Sequence, residues 1–395
     1  MLTPATLPAL QAALTDAKLD GWLLFDFRGL NPVAGSLLGM QGMVTRRIFA
    51  WIPAKGNPVA ITHAIEQAPW SEWPNAWEKI VYSSWRVFED ALPPLVKGKR
   101  IAMEYSPGDA VPVVDRVPAG VLELVRAAGA DVVTSAELVS RFFAVWSAAE
   151  VASHRKNAES LRAIAHEAFA RIGAAARSNR PLYEHEVDAW VMAQFPKYGM
   201  EADHGPIIAA TENAANPHYH PSASTPRPFR EGDVALIDLF ATSPGAGGMW
   251  ADQTWMASIG APSGRALEVW TAVRDARDAA IELLRTKLAA GVPVRGGEAD
   301  NAARAVIEQR GFGQWFTHRT GHSIDARGLH GMGPNIDDLE TRETRMLIPG
   351  VGFSIEPGIY LTGEIGMRTE VNGYVDADGT LVITPGQIQR DLIVV

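Results

Sequence analysis

From Trp22 to about Ser135, the short apolar runs WLLFD, RIFAWIP, PVAITH, RIAMEYS and ADVVTS alternate with helical or irregular stretches such as VLELVRAAG. Runs of this length predict strands, and their alternation with helices predicts a small α/β domain. The opening MLTPATLPALQAALTDAKLDG has the spacing of an amphipathic helix. After ELVSRFFAVW comes SAAEVASHRKNAESLRAIAHEAFARIGAAARS, a long helical period that opens on a serine cap with an acid in its first turn. This start places a boundary near Ser147, with an N-terminal domain over 1–146 and a second over 147–395.

In the second domain the pattern predicts helices at about Tyr183–Phe195, Gly264–Ala290 and Glu298–Gln309. Strands are predicted at Ile207–Ala210, Val234–Ala241, Thr254–Ser258, Gly352–Glu356 and Met367–Val375. Long helices between hairpin-like strand pairs make this domain α+β. Loops are predicted at Ser222–Gly232, which contains two prolines, and at Ser243–Gly248, which contains three glycines.

Composition narrows the chemistry. The chain has 395 residues, 47% hydrophobic and 21% charged, enough for two cores of moderate size. A formal net charge of −9 offers no basic footprint for a phosphate backbone, which argues against nucleic acid and for small peptides or metabolites. The absence of cysteine removes disulfides, thiolate metal sites and a cysteine nucleophile, and agrees with a reducing compartment. The first residues lack a cationic start followed by an unbroken apolar stretch, so no signal peptide is read there. Apolar stretches are interrupted well short of ~20 residues, for example by Arg141 and Glu150, so no membrane span is expected and a cytoplasmic location is.

Four acids and one histidine then stand out: Asp238 in VALIDLFA, Asp252 in ADQT, His322 in HRTGHSI, Glu356 in SIEPGIY and Glu370 in RTEVNGY. Each acid lies within or beside an apolar, strand-like run, where an unpaired carboxylate is costly and finds a cation instead. Oxygen-rich ligation with a single imidazole suits manganese, with cobalt or zinc as alternatives. Four carboxylates and a neutral histidine balance two divalent ions, and two metals roughly 3.5–4 Å apart, bridged by water or hydroxide, are a device for hydrolysis. Taken singly, the residues also have plainer readings. Asp252 could be a solvated turn residue, Arg368 and Glu370 a structural pair on one strand face, and His204, His218, His220, His318 and His330 structural histidines. His318 and His322 are four apart, as in helical zinc sites, but Arg319, Thr320 and Gly321 between them read as loop or strand.

The order Asp238, Asp252, His322, Glu356, Glu370, with TGH, IEPGIY and MRTE around the last three, resembles the metallopeptidases of the pita-bread fold, which include prolidase, aminopeptidase P and methionine aminopeptidase, with creatinase as a metal-free relative. EVASHRKNAESL resembles their first catalytic-domain helix and NPHYHP their substrate-histidine loop. The first domain is similar to the small creatinase-like α/β domain of the two-domain members. The resemblance implies that Asp238 holds one of two divalent metals, that Asp252 and Glu370 bridge both, and that His322 and Glu356 complete the set. Glu356 would also be the general base. His218 and His330 would stabilise the tetrahedral intermediate from the substrate side, and His318, Tyr360 and Arg368 would orient ligands or face substrate. Arg342, in RETRMLIPG with Arg345, would clamp the free carboxylate of a dipeptide, unless it belongs to a solvent-facing cluster with Glu340 and Glu343. A homodimer is implied as well, with the loop Arg28–Arg47 as the element that reaches across.

Three departures qualify the resemblance. SPGAGG lengthens the turn between the aspartates; Ser323 and Asp325 replace the usual glycines after the ligand histidine, and His330 comes one residue later than in the common prolidase pattern; and Trp255 stands where an arginine is common. The resulting expectation is a dinuclear metal-dependent exopeptidase for Xaa-Pro dipeptides. The alternatives are an aminopeptidase P acting on longer Xaa-Pro peptides and a non-catalytic binding protein on the same fold.

Overall fold

The structure, a computed structural model, describes residues 1–178 and 180–395. Its contacts divide it into two units, Met1–Phe143 and Ala144–Val395, where the sequence pattern placed the division at 146/147.

The first unit contains α1 (Leu7–Asp16), α2 (Pro32–Leu38), α3 (Trp85–Asp90), α4 (Pro93–Val96), α5 (Ala119–Ala127) and α6 (Ala136–Phe143). Its strands are β1 (Gly21–Asp26), β2 (Ile48–Pro53), β3 (Val59–His63), β4 (Glu78–Tyr82), β5 (Arg100–Met103) and β6 (Asp131–Thr134), in one sheet of order β4-β3-β2-β1-β5-β6. The stretch Arg28–Arg47 holds α2, whose cap Asn31 accepts from the N–H groups of Val33 and Ala34. Beneath it the fully buried Glu104 accepts from Trp22 Nε1, from Asn31 Nδ2 at 2.8 Å and from Ser135 Oγ at 3.1 Å.

The second unit opens with α7 (Ala148–Ala176), started by a reciprocal box in which Ser147 Oγ accepts from Glu150 N and Glu150 accepts from Ser147 N. It continues with α8 (Glu184–Met192), α9 (Gly264–Ala289) and α10 (Gly296–Gln309). Its strands are β7 (Ile207–Ala210), β8 (Val234–Ala241), β9 (Ala251–Ser258), β10 (Ser323–Ile324), β11 (Gly352–Ile355), β12 (Gly358–Leu361), β13 (Ile365–Arg368), β14 (Val371–Val375), β15 (Leu381–Thr384) and β16 (Ile393–Val394). Sheets of order β16-β9-β8-β7 and β10-β11-β14-β15 flank the hairpin β12-β13.

All eight residues of β8 and of β9 are buried, because helices cover both faces of this pair. Leu236 and Met256 join the core against α9 and α10, while Ala235, Ile237, Leu239 and Trp255 join the core against α7 and α8. Two expectations change here. Asp252 lies inside β9 and is buried, not in a solvated turn. The run Met367–Val375 is not one strand but β13 and β14, in different sheets, with Thr369 and Glu370 at the break.

Candidate metal centre and its cavity

Five backbone segments converge on the acids. Asp238 pairs in register with Thr254, and Asp252 with Phe240, so the two aspartates share one face of β8-β9 along a diagonal. Glu370 is tied to the same pair: its N–H donates to Thr254 O at 3.1 Å, and Thr254 Oγ1 donates to its Oε2 at 3.0 Å. Asn372 Oδ1 accepts from Asp252 N at 2.9 Å.

His322 is set by Ser354. The His322 N–H donates to Ser354 Oγ at 2.9 Å, and Ser354 N donates to His322 O at 2.8 Å. A Cβ at Gly321 would lie 1.9 Å from Ser354 O, so this approach requires glycine. Nδ1 of His322 is 3.1 Å from Ser323 O, which only accepts; in the neutral ring Nδ1 therefore carries the proton and the Nε2 lone pair is left for a cation held among the acids. Nε2 stands 3.3 Å from Asp252 Oδ2 and 3.5 Å from Glu356 Oε1. Glu356 leaves β11 with its N–H on Thr320 O at 2.6 Å and receives Ser354 Oγ–H on Oε1 at 2.9 Å.

Arg368, at the end of β13, spans the other side. It donates to Asp238 Oδ2 at 2.5 Å, to Thr254 Oγ1 at 3.0 Å and to Tyr360 OH at 2.9 Å. Tyr360 OH lies 2.7 Å from His318 Nε2, and His318 Nδ1 lies 2.7 Å from Arg319 O. Arg368 thus reaches from the β12-β13 hairpin to Asp238 in the neighbouring sheet, and does not pair with Glu370 along its own segment.

The electrostatics are those of crowded, buried acids. Burial pushes the Asp238 carboxyl up to about 7 against the pull of Arg368, with Asp252 and Glu356 adding to the rise. Burial also raises Asp252, although His322 pulls it down, and it lifts Glu370 far above the carboxylate range with the help of Asp252, Glu356 and Asp238. At Glu356 burial acts upward too, but His322, His318 and Arg368 outweigh it and hold the group below its ordinary value. Burial disfavours charge on His322, yet Asp252 and Glu356 raise it.

The donor set fits divalent cations. Asp238 Oδ1, Asp252 Oδ1 and Glu370 Oε1 are buried without a hydrogen-bond partner among the described residues, a costly state that a cation relieves. One ligand atom each from Asp252, His322 and Glu370 lies within 4.8 Å of the others. Oxygen and imidazole donors without sulfur suit the manganese, cobalt and zinc group.

The acids open into two adjoining cavities of about 400 and 500 Å³. His218, His322, His330, Glu356 and Arg368 line both. The His330 ring stands edge-on to His322 at 4.3 Å, and His318 lines the smaller space. The substitution at Asp325 has a local reason: its carboxylate accepts from Arg327 N at 2.8 Å and Met332 N at 3.0 Å, organising the loop that carries His330. Trp255 faces the opposite core, away from the acids, and donates to Gln253 Oε1 at 2.9 Å. The SPGAGG turn is tied to α7 by Ser243 Oγ donating to Asn157 Oδ1 at 3.0 Å and Met249 N donating to Ser153 Oγ at 3.1 Å.

Arg342 is exposed and lines neither cavity. Its neighbours divide the expected cluster differently: Arg345 and Glu343 form a buried pair at 2.7 Å that also holds the Met332 and Gly333 carbonyls. The guanidinium at the cavity wall besides Arg368 belongs to Arg319, 3.8 Å from Glu340. Sequence reasoning passed over Arg319 although it lies inside HRTGH, and it also missed Thr254 and Ser354, each two residues from a ligand on the same strand face or its extension.

The sequence profile of Metallopeptidase family M24 matches residues 156–377. An Xaa-Pro dipeptidase of Lactobacillus helveticus is 35% identical over 181 residues, 45% of this chain and 44% of that protein. The chain thus spans about half the length of the curated relatives it matches. The crystal structure of dipeptidase PepE from Mycobacterium ulcerans superposes with a TM-score of 0.71 at 25% identity, covering 99% of this chain and 97% of that one. The X-Pro aminopeptidase of Thermotoga maritima superposes at 0.61 with 23% identity over 98% and 99%. The α+β architecture expected from the sequence, a pita-bread unit preceded in the chain by a smaller α/β unit, stands on these matches.

Proposed function

The chain belongs to metallopeptidase family M24, and from that premise we propose that it is a dinuclear metal-dependent exopeptidase cleaving Xaa-Pro dipeptides. The observation that carries the reading is the convergence of Asp238, Asp252, His322, Glu356 and Glu370, three of them with orphaned buried oxygens, on a cavity walled by His218, His318 and His330. The Xaa-Pro dipeptidase name of the matched relative supports the substrate class. Proline's imide lacks an N–H and fixes φ, so its bond calls for a dedicated cleft.

Two divalent ions, manganese by preference, would be held by those five side chains. When bound they would polarise the scissile carbonyl and lower the pKa of the attacking water. The chain's own groups supply the rest. Glu356, held low and ionised by its neighbours and fixed by Ser354, accepts the proton of the attacking water. His218 and His330 donate to the oxygen on which charge develops. The chain Arg368–Tyr360–His318 keeps Asp238 and the cavity wall in place. A guanidinium reads the dipeptide's free carboxylate, with Arg342 favoured by the resemblance and Arg319 by the cavity. We place the protein in the cytoplasm as a homodimer; its lack of cysteine and of any described helix long and apolar enough to cross a membrane agree with that setting.

Aminopeptidase P action on longer peptides is the second reading, and the exposed position of Arg342 outside the cavity favours it. Metal analysis of the purified chain with hydrolysis of Gly-Pro, Ala-Pro and Ala-Pro-Ala decides among them. Dipeptide cleavage with two bound ions upholds the first reading, faster tripeptide cleavage the second, and binding without turnover the non-catalytic alternative.

A further inference from the structure

The loop that carries His218 is pinned from beneath by groups that do not reach the cavity. Glu184, the first residue of α8, is 1% exposed and is ringed by donors: Ala210 N at 2.6 Å, Asn213 Nδ2 at 3.1 Å and Tyr219 OH at 2.6 Å. Asn213 Nδ2 also donates to Tyr219 OH at 2.9 Å. The clasp therefore grips both ends of the segment between β7 and Tyr219, and His218 lies directly beside its terminal member. Within the segment, Asn216 takes His218 N on its side chain and Tyr219 N on its carbonyl, both at 3.1 Å.

The other flank of the segment is equally constrained. Thr211 has a positive φ of 32°, and its hydroxyl and backbone are tied to Asp233 and Val234. Its carbonyl accepts from Gly366 N at 3.2 Å, and a Cβ on Gly366 would lie 1.9 Å from Ala214 O. Gly366 belongs to β13, the strand that ends in Arg368. The segment is thus fastened to α8 and to β13, whose Arg368 holds Asp238, while its exposed tip His218 lines the cavities onto which the acids open.

We propose that Tyr219 is a positioning residue, its hydroxyl clasped by Glu184 and Asn213 so that His218 is held over the metal centre. The inference rests on the reading of His218 as a substrate-facing group. Tyr219→Phe keeps the ring, which packs against the core, and removes only the clasped hydroxyl.

The test has two arms on the full-length, metal-loaded protein. In steady-state hydrolysis of Ala-Pro, Tyr219→Phe is expected to lower kcat/KM by about ten- to a hundredfold with metal content unchanged. It should move kcat and KM in the same directions as His218→Ala, and the double variant should be no worse than His218→Ala alone. Losses that add in the double variant overturn the proposal. In the second arm, amide hydrogen exchange over residues 212–220 is expected to accelerate at least tenfold in Tyr219→Phe and in Asn213→Ala, with the rest of the unit unchanged; unaltered exchange in both overturns it as well. Should the wild type cleave no Xaa-Pro peptide, the functional reading fails and the exchange arm still decides the clasp.

Discussion

Arg368 Nη2 lies 2.5 Å from Asp238 Oδ2, while Oδ1 of the same carboxylate is buried without a partner among the described residues. One oxygen is neutralised by the protein and the other is left for a cation. Without the guanidinium, the buried acids lose a compensating charge, and breaking such a pair costs about 3–5 kcal/mol. Arg368→Met is therefore expected to lower the unfolding free energy of the metal-free protein by about that amount, and much less when manganese is present. Denaturant titrations with and without the ion check this; an equal loss in both would mean that Arg368 acts only as packing.

Ion binding should expel protons. With Asp238 raised to about 7 and Glu370 well above its ordinary value, the metal-free cluster retains protons near neutrality. A carboxyl whose folded pKa is raised binds more protons in the folded than in the unfolded state, so stability falls as pH climbs from the unfolded pKa to the folded one. The contribution of Asp238 to the stability of the metal-free protein should thus be lost as pH rises from about 4 to about 7, and the loaded protein should show no such loss. Calorimetric manganese titration at pH 7 in buffers of different ionisation enthalpy should show release of at least about one proton. Heat independent of the buffer would contradict the crowded-acid picture.

The same sign applies in the first unit, at Glu104. Burial drives its carboxyl to about 7 although Asn31, Trp22 and Ser135 all donate to it. Wild-type stability relative to Glu104→Gln should fall by up to about 3 kcal/mol between pH 4.5 and pH 7.5, at about 1.4 kcal/mol per unit of raised pKa. A difference that stays flat across this range would show the carboxyl titrating normally.

Gly321 tests how tightly the histidine ligand is built. A Cβ there would sit 1.9 Å from Ser354 O, inside the contact that sets both His322 and Glu356. Gly321→Ala should cost about 1–3 kcal/mol of stability from overpacking and weaken manganese binding, read by thermal melting and by metal retention on dialysis. Full retention would show that the segment can yield without disturbing its ligand.

Much of this centre was legible in the chain because each carboxylate interrupts an apolar run, and a charge in such a place needs a reason. Asp252 was ambiguous because its spacing from a glycine-rich turn is also that of a solvated residue; only the pairing of Phe240 with Asp252 places it inside β9. The break at Thr369 and Glu370 was hidden because Met367–Val375 reads as one strand locally, and the switch of sheets is a tertiary event. The clasp of Glu184 on Tyr219 spans 35 residues and carries no periodic signal. The resemblance singles out Arg342 and passes over Arg319, because which of two nearby arginines faces the site is decided by the fold, which leaves Arg342 exposed and lines the cavity with Arg319.

That ranking leads to the sharpest test of substrate length. A dipeptide ends in a free carboxylate that a longer peptide lacks at the same position, so a guanidinium at the right depth measures length as well as charge. Arg319 lines the cavity at a quarter exposure; Glu340 is anchored on its backbone N–H at 2.9 Å but stands 3.8 Å from its guanidinium, too far to occupy the hydrogen bonds an incoming carboxylate would take. Arg319→Ala is expected to raise KM for Ala-Pro about ten- to a hundredfold, corresponding to roughly 1.4–2.8 kcal/mol, and to spare the amidated dipeptide. Arg319→Lys should recover only part, because an ammonium keeps the charge without the planar fork. Arg342→Ala should change KM less than about threefold, the scale of an exposed charge. If the Arg342 variant instead carries the loss and Arg319→Ala is neutral, the 338–345 loop must close over the substrate and the clamp is Arg342. If neither matters and Ala-Pro-Ala is cleaved as fast as Ala-Pro, no carboxylate is read and the aminopeptidase reading holds.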